Sequence, residues 1–82
     1  MRTQEIINGL PKTTRERLYG YAEAIAKEND YSFKMEIEAI VKGYVNAIYD
    51  LGMITRQEAR ILRHFYMMDL PKTINRKEVV NL

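Results

Sequence analysis

Three arginines recur at helical spacing in the last third of the chain, at Arg56, Arg60 and Arg63. At roughly 100° per residue, their side chains fall within about 60° of one another on one face of a helix. Guanidinium groups present forked N–H donors that match phosphates and carboxylates. With His64 beside them, these arginines predict a basic partner-binding surface. A solvated helix face, with positive charge near the helix C-terminus, is the ordinary alternative.

A second set of residues steps by three and four positions along the preceding segment, on the side opposite its main apolar residues. A helix buried on one side only normally carries more charge on its other side than this one does. Small residues allow close approach there, and methionine and tyrosine suit a contact surface. We therefore predict a contact, either with residues 1–9 or 74–82 of the same chain or with a second molecule such as another copy. The set comprises Met35, Ala39, Lys42, Gly43, Asn46 and Tyr49.

Catalytic and metal-binding patterns are missing from the sequence. The chain has no cysteine, which excludes disulfides, thiolate metal sites and cysteine nucleophiles, and it has a single histidine. The acids pair with lysines at favourable helical spacing instead, Glu23 with Lys27 and Glu38 with Lys42. No glycine-rich phosphate loop or nucleophile motif occurs. We expect no enzymatic activity, no bound metal and no cofactor.

The elements that must position these residues all read as helices. Two Thr-x-x-Glu sequences, Thr13 to Glu16 and Thr55 to Glu58, have the spacing of helix-starting capping boxes. Gly52 is placed to end a helix in the left-handed conformation, and Pro71 to stop the last one. The pattern predicts a short N-terminal helix at about 3–9, helices at about 14–28, 33–51 (after Ser32) and 56–68, and a C-terminal tail with one turn from residue 75.

The helix predicted at 33–51 carries the strongest apolar pattern. Its apolar residues recur at alternating steps of three and four, and Val41, Val45 and Ile48 widen the stripe. We expect the recurring set to face the core. It consists of Phe33, Ile37, Ile40, Tyr44, Ala47 and Leu51.

Length and composition describe one small globular domain. The chain has 82 residues, of which 46% are hydrophobic and 29% charged, so residues 1–82 form a single core rather than a disordered segment. Short connections between helices predict an all-α, up-down-up bundle of three to four helices. No apolar run approaches the roughly 20 residues that span a bilayer, and the N-terminus does not resemble a signal peptide. We expect a cytoplasmic protein without a membrane partner.

The functional expectation is non-enzymatic protein–protein binding, in an accessory or regulatory protein of the kind carried by phages or mobile elements. The alternative is a small DNA-binding regulator that uses the basic helix around residues 56–64. The net charge of +2 is too small to decide between them. Two details weigh against a helix-turn-helix reader of DNA: the preceding helix is long, and Glu58 stands where that motif packs an apolar residue. A homodimer is compatible with either function.

Overall fold

Helices account for every regular element of the part of the chain that the structure describes. The structure is a computed structural model, and it describes residues 2–71. Its elements are α1 (Arg2–Asn8), α2 (Lys12–Lys27), α3 (Tyr31–Asp50) and α4 (Arg56–His64), and a π-helical turn (Phe65–Asp69) continues α4. The prediction of a small all-α helical bundle is confirmed. The turn predicted from residue 75 lies outside the described residues.

The link between α3 and α4 has the local chemistry that the sequence predicts. Gly52 has a φ of 77°, and the N–H of Met53 donates to the carbonyl of Ile48 at 3.0 Å, which closes α3 as a Schellman motif. At the start of α4, the Thr55 hydroxyl accepts from the N–H of Glu58 at 3.1 Å. The Glu58 carboxylate accepts in return from the N–H of Thr55 at 2.9 Å. The predicted capping box is therefore present, and it turns the chain sharply into a helical hairpin.

The starts of α2 and α3 differ from the predictions. No capping box forms at Thr13, because α2 already begins at Lys12 with Pro11 in the capping position, and Thr13 lies inside the first turn. In α3 the cap is Asp30 rather than Ser32. The Asp30 carboxylate accepts from the N–H groups of Ser32 at 2.8 Å and Phe33 at 3.3 Å. A carboxylate both caps the free N–H groups and complements the helix dipole, so it begins the helix two residues before the predicted start.

The end of α4 also departs from the prediction, because the chain stays helical through Pro71. The N–H of Leu70 donates to the carbonyl of Phe65, five residues back, which is the π-helical spacing. Proline has a helix-compatible φ, so Pro71 itself can hold the helical conformation, although it supplies no N–H and its ring crowds the carbonyl one turn back.

The core lies between α2, α3 and α4, and α1 closes one side of it. Fully buried side chains come from all three long helices. The Tyr66 hydroxyl donates to the carbonyl of Leu18 at 2.6 Å and so ties the π-helical turn to α2. The Tyr19 hydroxyl links α2 to α1 by donating to Asn8 Oδ1 at 2.7 Å. The buried hydrophobic residues are Ile6, Ile7, Leu10, Leu18, Ile25, Val41, Val45, Ile48, Ile54, Ala59, Leu62 and Tyr66, and Thr14 is a buried polar residue.

The buried side of α3 is rotated away from its predicted apolar face. Val41, Val45 and Ile48, predicted to widen the stripe, are its buried centre. Of the six residues predicted to face the core, only Ile37 and Tyr44 pack partly against it. The other four are exposed: Phe33, Ile40, Ala47 and Leu51. The physical reason is that apolar residues cover a wider arc of α3 than its neighbours α2 and α4 can cover.

Candidate interaction surfaces

A groove between α3 and α4 brings together members of both predicted contact sets. We refer to it as the α3–α4 groove, and its volume is about 530 Å³. The hairpin at Gly52 and Thr55 places the C-terminal half of α3 alongside α4, so side chains from the two helices face one another. The lining residues are Lys42, Asn46, Tyr49 and Asp50 from α3 and Arg56, Ala59 and Arg63 from α4.

The α3–α4 groove is predominantly basic. Three cations, Lys42, Arg56 and Arg63, line it with one carboxylate, that of Asp50. Arg63 is half-buried and its Nη1 donates to Asn46 Oδ1 at 2.9 Å, which holds the guanidinium against α3. Among the described residues, Lys42 and Arg56 make no ion pair or hydrogen bond. The predicted pairing of Glu38 with Lys42 is therefore wrong.

The other two residues of the predicted basic surface line a neighbouring cleft rather than the groove, although Arg60 lies only roughly 40° from Arg56 around α4. Arg60 and His64 border an open cleft of about 520 Å³ that also includes Thr3 of α1. His64 Nδ1 lies 3.4 Å from Asp69 Oδ2, across the π-helical turn. Packing of α4 between α1 and α3 thus divides the four residues, with Arg56 and Arg63 facing α3 and Arg60 and His64 facing the α1 side.

The remaining members of the second predicted set are open to solvent. Met35 and Ala39 are exposed, and a Cβ added at Gly43 would meet no atom within 4 Å. Residues 2–8 form α1, which packs against α2 and α4 rather than over this face, so the predicted contact with 1–9 is not made there. The alternative cover, residues 74–82, lies outside the described residues.

A surface that the sequence reasoning missed is the exposed apolar line on α3. We refer to Phe33, Ile40 and Leu51 as the α3 stripe, and their exposed fractions are 55%, 56% and 76%. Exposed Ala47 falls on the same line, between Ile40 and Leu51. The sequence feature that could have predicted the stripe is the width of the apolar arc. Nine apolar residues follow one side of this helix, which is more than two neighbouring helices can bury.

Acidic residues border the α3 stripe on the side away from α2. Tyr44, on the opposite border, packs edge-on against Tyr21 of α2 with ring centroids 5.7 Å apart. Counting roughly 100° per residue from the stripe in the other direction places Glu36 on the free border and Asp50 further round, where it also lines the α3–α4 groove. Both are exposed. The stripe is therefore an apolar line with α2 on one side and a negatively charged rim on the other.

Metal and membrane features are absent from residues 2–71. No group of three or more histidine, aspartate and glutamate side chains is placed there to hold a metal ion. None of the described helices combines the length and apolar character needed to cross a bilayer.

Comparison with known proteins yields no relative from which a function can be transferred. No family model, curated protein or solved structure matches the chain.

Proposed function

We propose that the chain is a non-enzymatic protein-binding module whose α3 stripe docks onto a helix of a partner protein. The observation that carries the proposal is the exposure of three large apolar side chains, each more than half accessible, in one line along α3. They extend over roughly 27 Å of helix, at 1.5 Å per residue. A contiguous exposed apolar surface on a small domain is informative, whereas a single exposed leucine is not.

Burial of the stripe by a partner is energetically favourable. Fully burying a leucine, isoleucine or phenylalanine side chain contributes about 1.5–3 kcal/mol. Since the three side chains of the stripe are already partly covered, their further burial contributes on the order of a few kcal/mol in total. The stripe lies on a straight, regular helix capped at both ends, so little conformational entropy is lost when it docks.

The partner that fits is an amphipathic helix with lysine or arginine along one border. An apolar line on a helix is matched by apolar residues at steps of three and four on a second helix. The acidic rim of Glu36 and Asp50 favours basic residues beside that line. In antiparallel pairing, a second copy of the chain would bring the two acidic rims side by side. The charges therefore favour a partner with a basic border over an antiparallel homodimer.

The proposed contact differs from the face predicted at Met35 and Ala39. That face lies roughly opposite the stripe on α3. Two of its six residues, Met35 and Tyr49, are large and apolar, and Lys42, Asn46 and Tyr49 turn towards α4. Arg63 is also held against α3 by its hydrogen bond to Asn46, which draws one of the three arginines away from the outward face that a DNA-reading helix uses. A module that binds a partner protein without catalysing a reaction would act by blocking a surface of that partner or by linking it to another protein. Either is an accessory or regulatory role.

A photo-crosslinking residue at Ala47, compared with one at Met35, tests the proposal in the native host's lysate. Both are exposed positions of α3, and Met35 lies roughly 120° from Ala47 around the helix, on the side away from the stripe. We expect Ala47 to crosslink to a peptide with an apolar line and a basic border, and Met35 not to. Mass spectrometry of the crosslinked peptide identifies the partner segment.

Binding of that segment, as a synthetic peptide, is then compared between two matched variants. Ile40→Ser removes an apolar side chain from the stripe, and Met35→Ser removes an equally exposed one from the opposite face. We expect I40S to weaken binding about tenfold or more and M35S to leave it unchanged. The free energy of unfolding of both variants should lie within about 0.5 kcal/mol of that of the parent, because the replaced side chains are exposed. Equal losses in the two variants, or crosslinks at Ala47 joining two copies of the chain, would contradict the proposal.

A further inference from the structure

We infer that the α3–α4 groove is a separate binding site for phosphate groups. The inference does not depend on the α3 stripe, which lies on another side of α3. It stands on two observations: the groove is lined by Lys42, Arg56 and Arg63, and two of these cations have no partner among the described residues.

The three cations approach the groove from different directions. Lys42 comes from α3, Arg56 from the first turn of α4, and Arg63 from two turns further along the same side of α4. Like charges around one groove repel each other, and among the described residues that line the groove Asp50 is the one carboxylate that offsets them. An anion that enters the groove relieves that repulsion, so its binding is favoured beyond any single contact.

Arg63 is already held in place for binding. Its hydrogen bond to Asn46 Oδ1 uses one of the five N–H donors of the guanidinium and fixes the group against α3. Less rotamer entropy is lost when such a side chain binds a ligand, which is the advantage of an ordered arginine. The Tyr49 hydroxyl and the Asn46 side-chain amide add neutral donors to the lining.

Phosphate fits this arrangement better than carboxylate. A phosphate group presents three oxygens in a tetrahedral arrangement and carries up to two negative charges, whereas a carboxylate presents two oxygens in a plane. Arg56 and Arg63 lie seven residues apart on α4, roughly 10 Å along the helix, so the cations are spread along the groove and suit linked phosphate groups, each with more charge than a carboxylate. The groove volume of about 530 Å³ lies within the range of small-molecule sites, so it accommodates more than one phosphate.

Titration of the full chain with tripolyphosphate, followed by NMR of the backbone amides and arginine side chains, tests the site. We expect shifts centred on Lys42, Asn46, Arg56 and Arg63. Arg56→Gln and Lys42→Gln should each weaken binding about tenfold. The matched control is Arg60→Gln, which removes the same charge from the same helix outside the groove and should leave binding within twofold. Neither R56Q nor K42Q breaks a hydrogen bond of the described structure, so the fold should be unaffected.

Two further ligands distinguish the sources of phosphate. A short single-stranded DNA oligonucleotide that binds more tightly than tripolyphosphate, with the same dependence on Arg56 and Lys42, would support the site and assign it to nucleic-acid backbone. Tighter binding of tripolyphosphate would support it as a site for a small phosphorylated molecule. Equal weakening by R60Q, absence of any groove shift with both ligands, or equally tight binding of a polyglutamate peptide would overturn the inference.

Discussion

Gly20 lies in the middle of α2 and is exposed, yet neither packing nor backbone geometry requires a glycine there. A Cβ at this position would meet no atom within 4 Å, and the helix runs regularly through it. Glycine in a helix interior costs roughly 1 kcal/mol relative to alanine. We therefore expect Gly20→Ala to raise the free energy of unfolding by about that amount, measured by urea denaturation followed by circular dichroism.

Gly52→Ala is the matched control for Gly20→Ala. At Gly52 the positive φ of 77° is unfavourable for any residue with a Cβ, so we expect this variant to lose about 1 kcal/mol. A neutral or destabilising Gly20→Ala would mean that α2 is not a regular helix at this point in solution. The role of Gly52 could be predicted from the sequence because it depends only on neighbouring residues. Nothing in the structure explains why residue 20 is a glycine.

At the scale of elements, the two Thr-x-x-Glu sequences provide a direct comparison, because only one forms a capping box. Thr55→Ala removes a side chain that accepts from the N–H of Glu58, and loss of such a cap costs about 1 kcal/mol. Thr13→Ala removes a hydroxyl inside the first turn of α2, where it caps nothing. We expect T55A to lower the urea midpoint clearly and T13A to change it little. Similar losses would mean that α2 starts at the predicted cap, Thr13.

Helix α3 shows which properties of a helix can be predicted from its own sequence and which cannot. Spacing and caps predict its existence, and its end at Gly52 was predicted correctly. The direction in which it faces was not, because apolar residues cover a broad arc and periodicity alone cannot say which part the neighbours bury. That choice is made by α2 and α4, whose contacts select Val41, Val45 and Ile48 and leave Phe33, Ile40 and Leu51 exposed.

At the scale of the whole molecule, the candidate groove depends on how helices meet. The sequence identified Arg56, Arg63, Lys42, Asn46 and Tyr49 as binding candidates, but in two separate sets. Their union into one groove follows from the hairpin geometry of α3 and α4. The separation of Arg60 and His64 follows from the position of α1. Neither arrangement is a property of one helix, so residue spacing could not predict it.

Tyr66 ties the π-helical turn to α2 and gives the stability of the fold a pH dependence. Its hydroxyl donates to the carbonyl of Leu18 at 2.6 Å, and the side chain is fully buried. Burial raises the pKa of Tyr66 well above its ordinary value, and the nearby Tyr19 raises the pKa further. Between the ordinary pKa of about 10 and the raised value, the unfolded chain has lost this proton while the folded chain retains it. Its stabilising contribution is therefore complete below about pH 10 and decreases as the pH rises.

Tyr66→Phe separates the hydrogen bond from this titration. Near pH 7 we expect the variant to be about 1 kcal/mol less stable than the parent, because Leu18 lies within α2 and its carbonyl keeps its helical partner. Near pH 11 the ionisation of Tyr66 in the unfolded chain lowers the free energy of unfolding of the parent by about 1.4 kcal/mol and does not affect the variant. The difference in stability between the two proteins should therefore vanish or reverse. Urea unfolding of both proteins at the two pH values measures the change. An unchanged difference would mean that Tyr66 ionises as readily in the folded state as in the unfolded one, and that water reaches its hydroxyl between α2 and the π-helical turn.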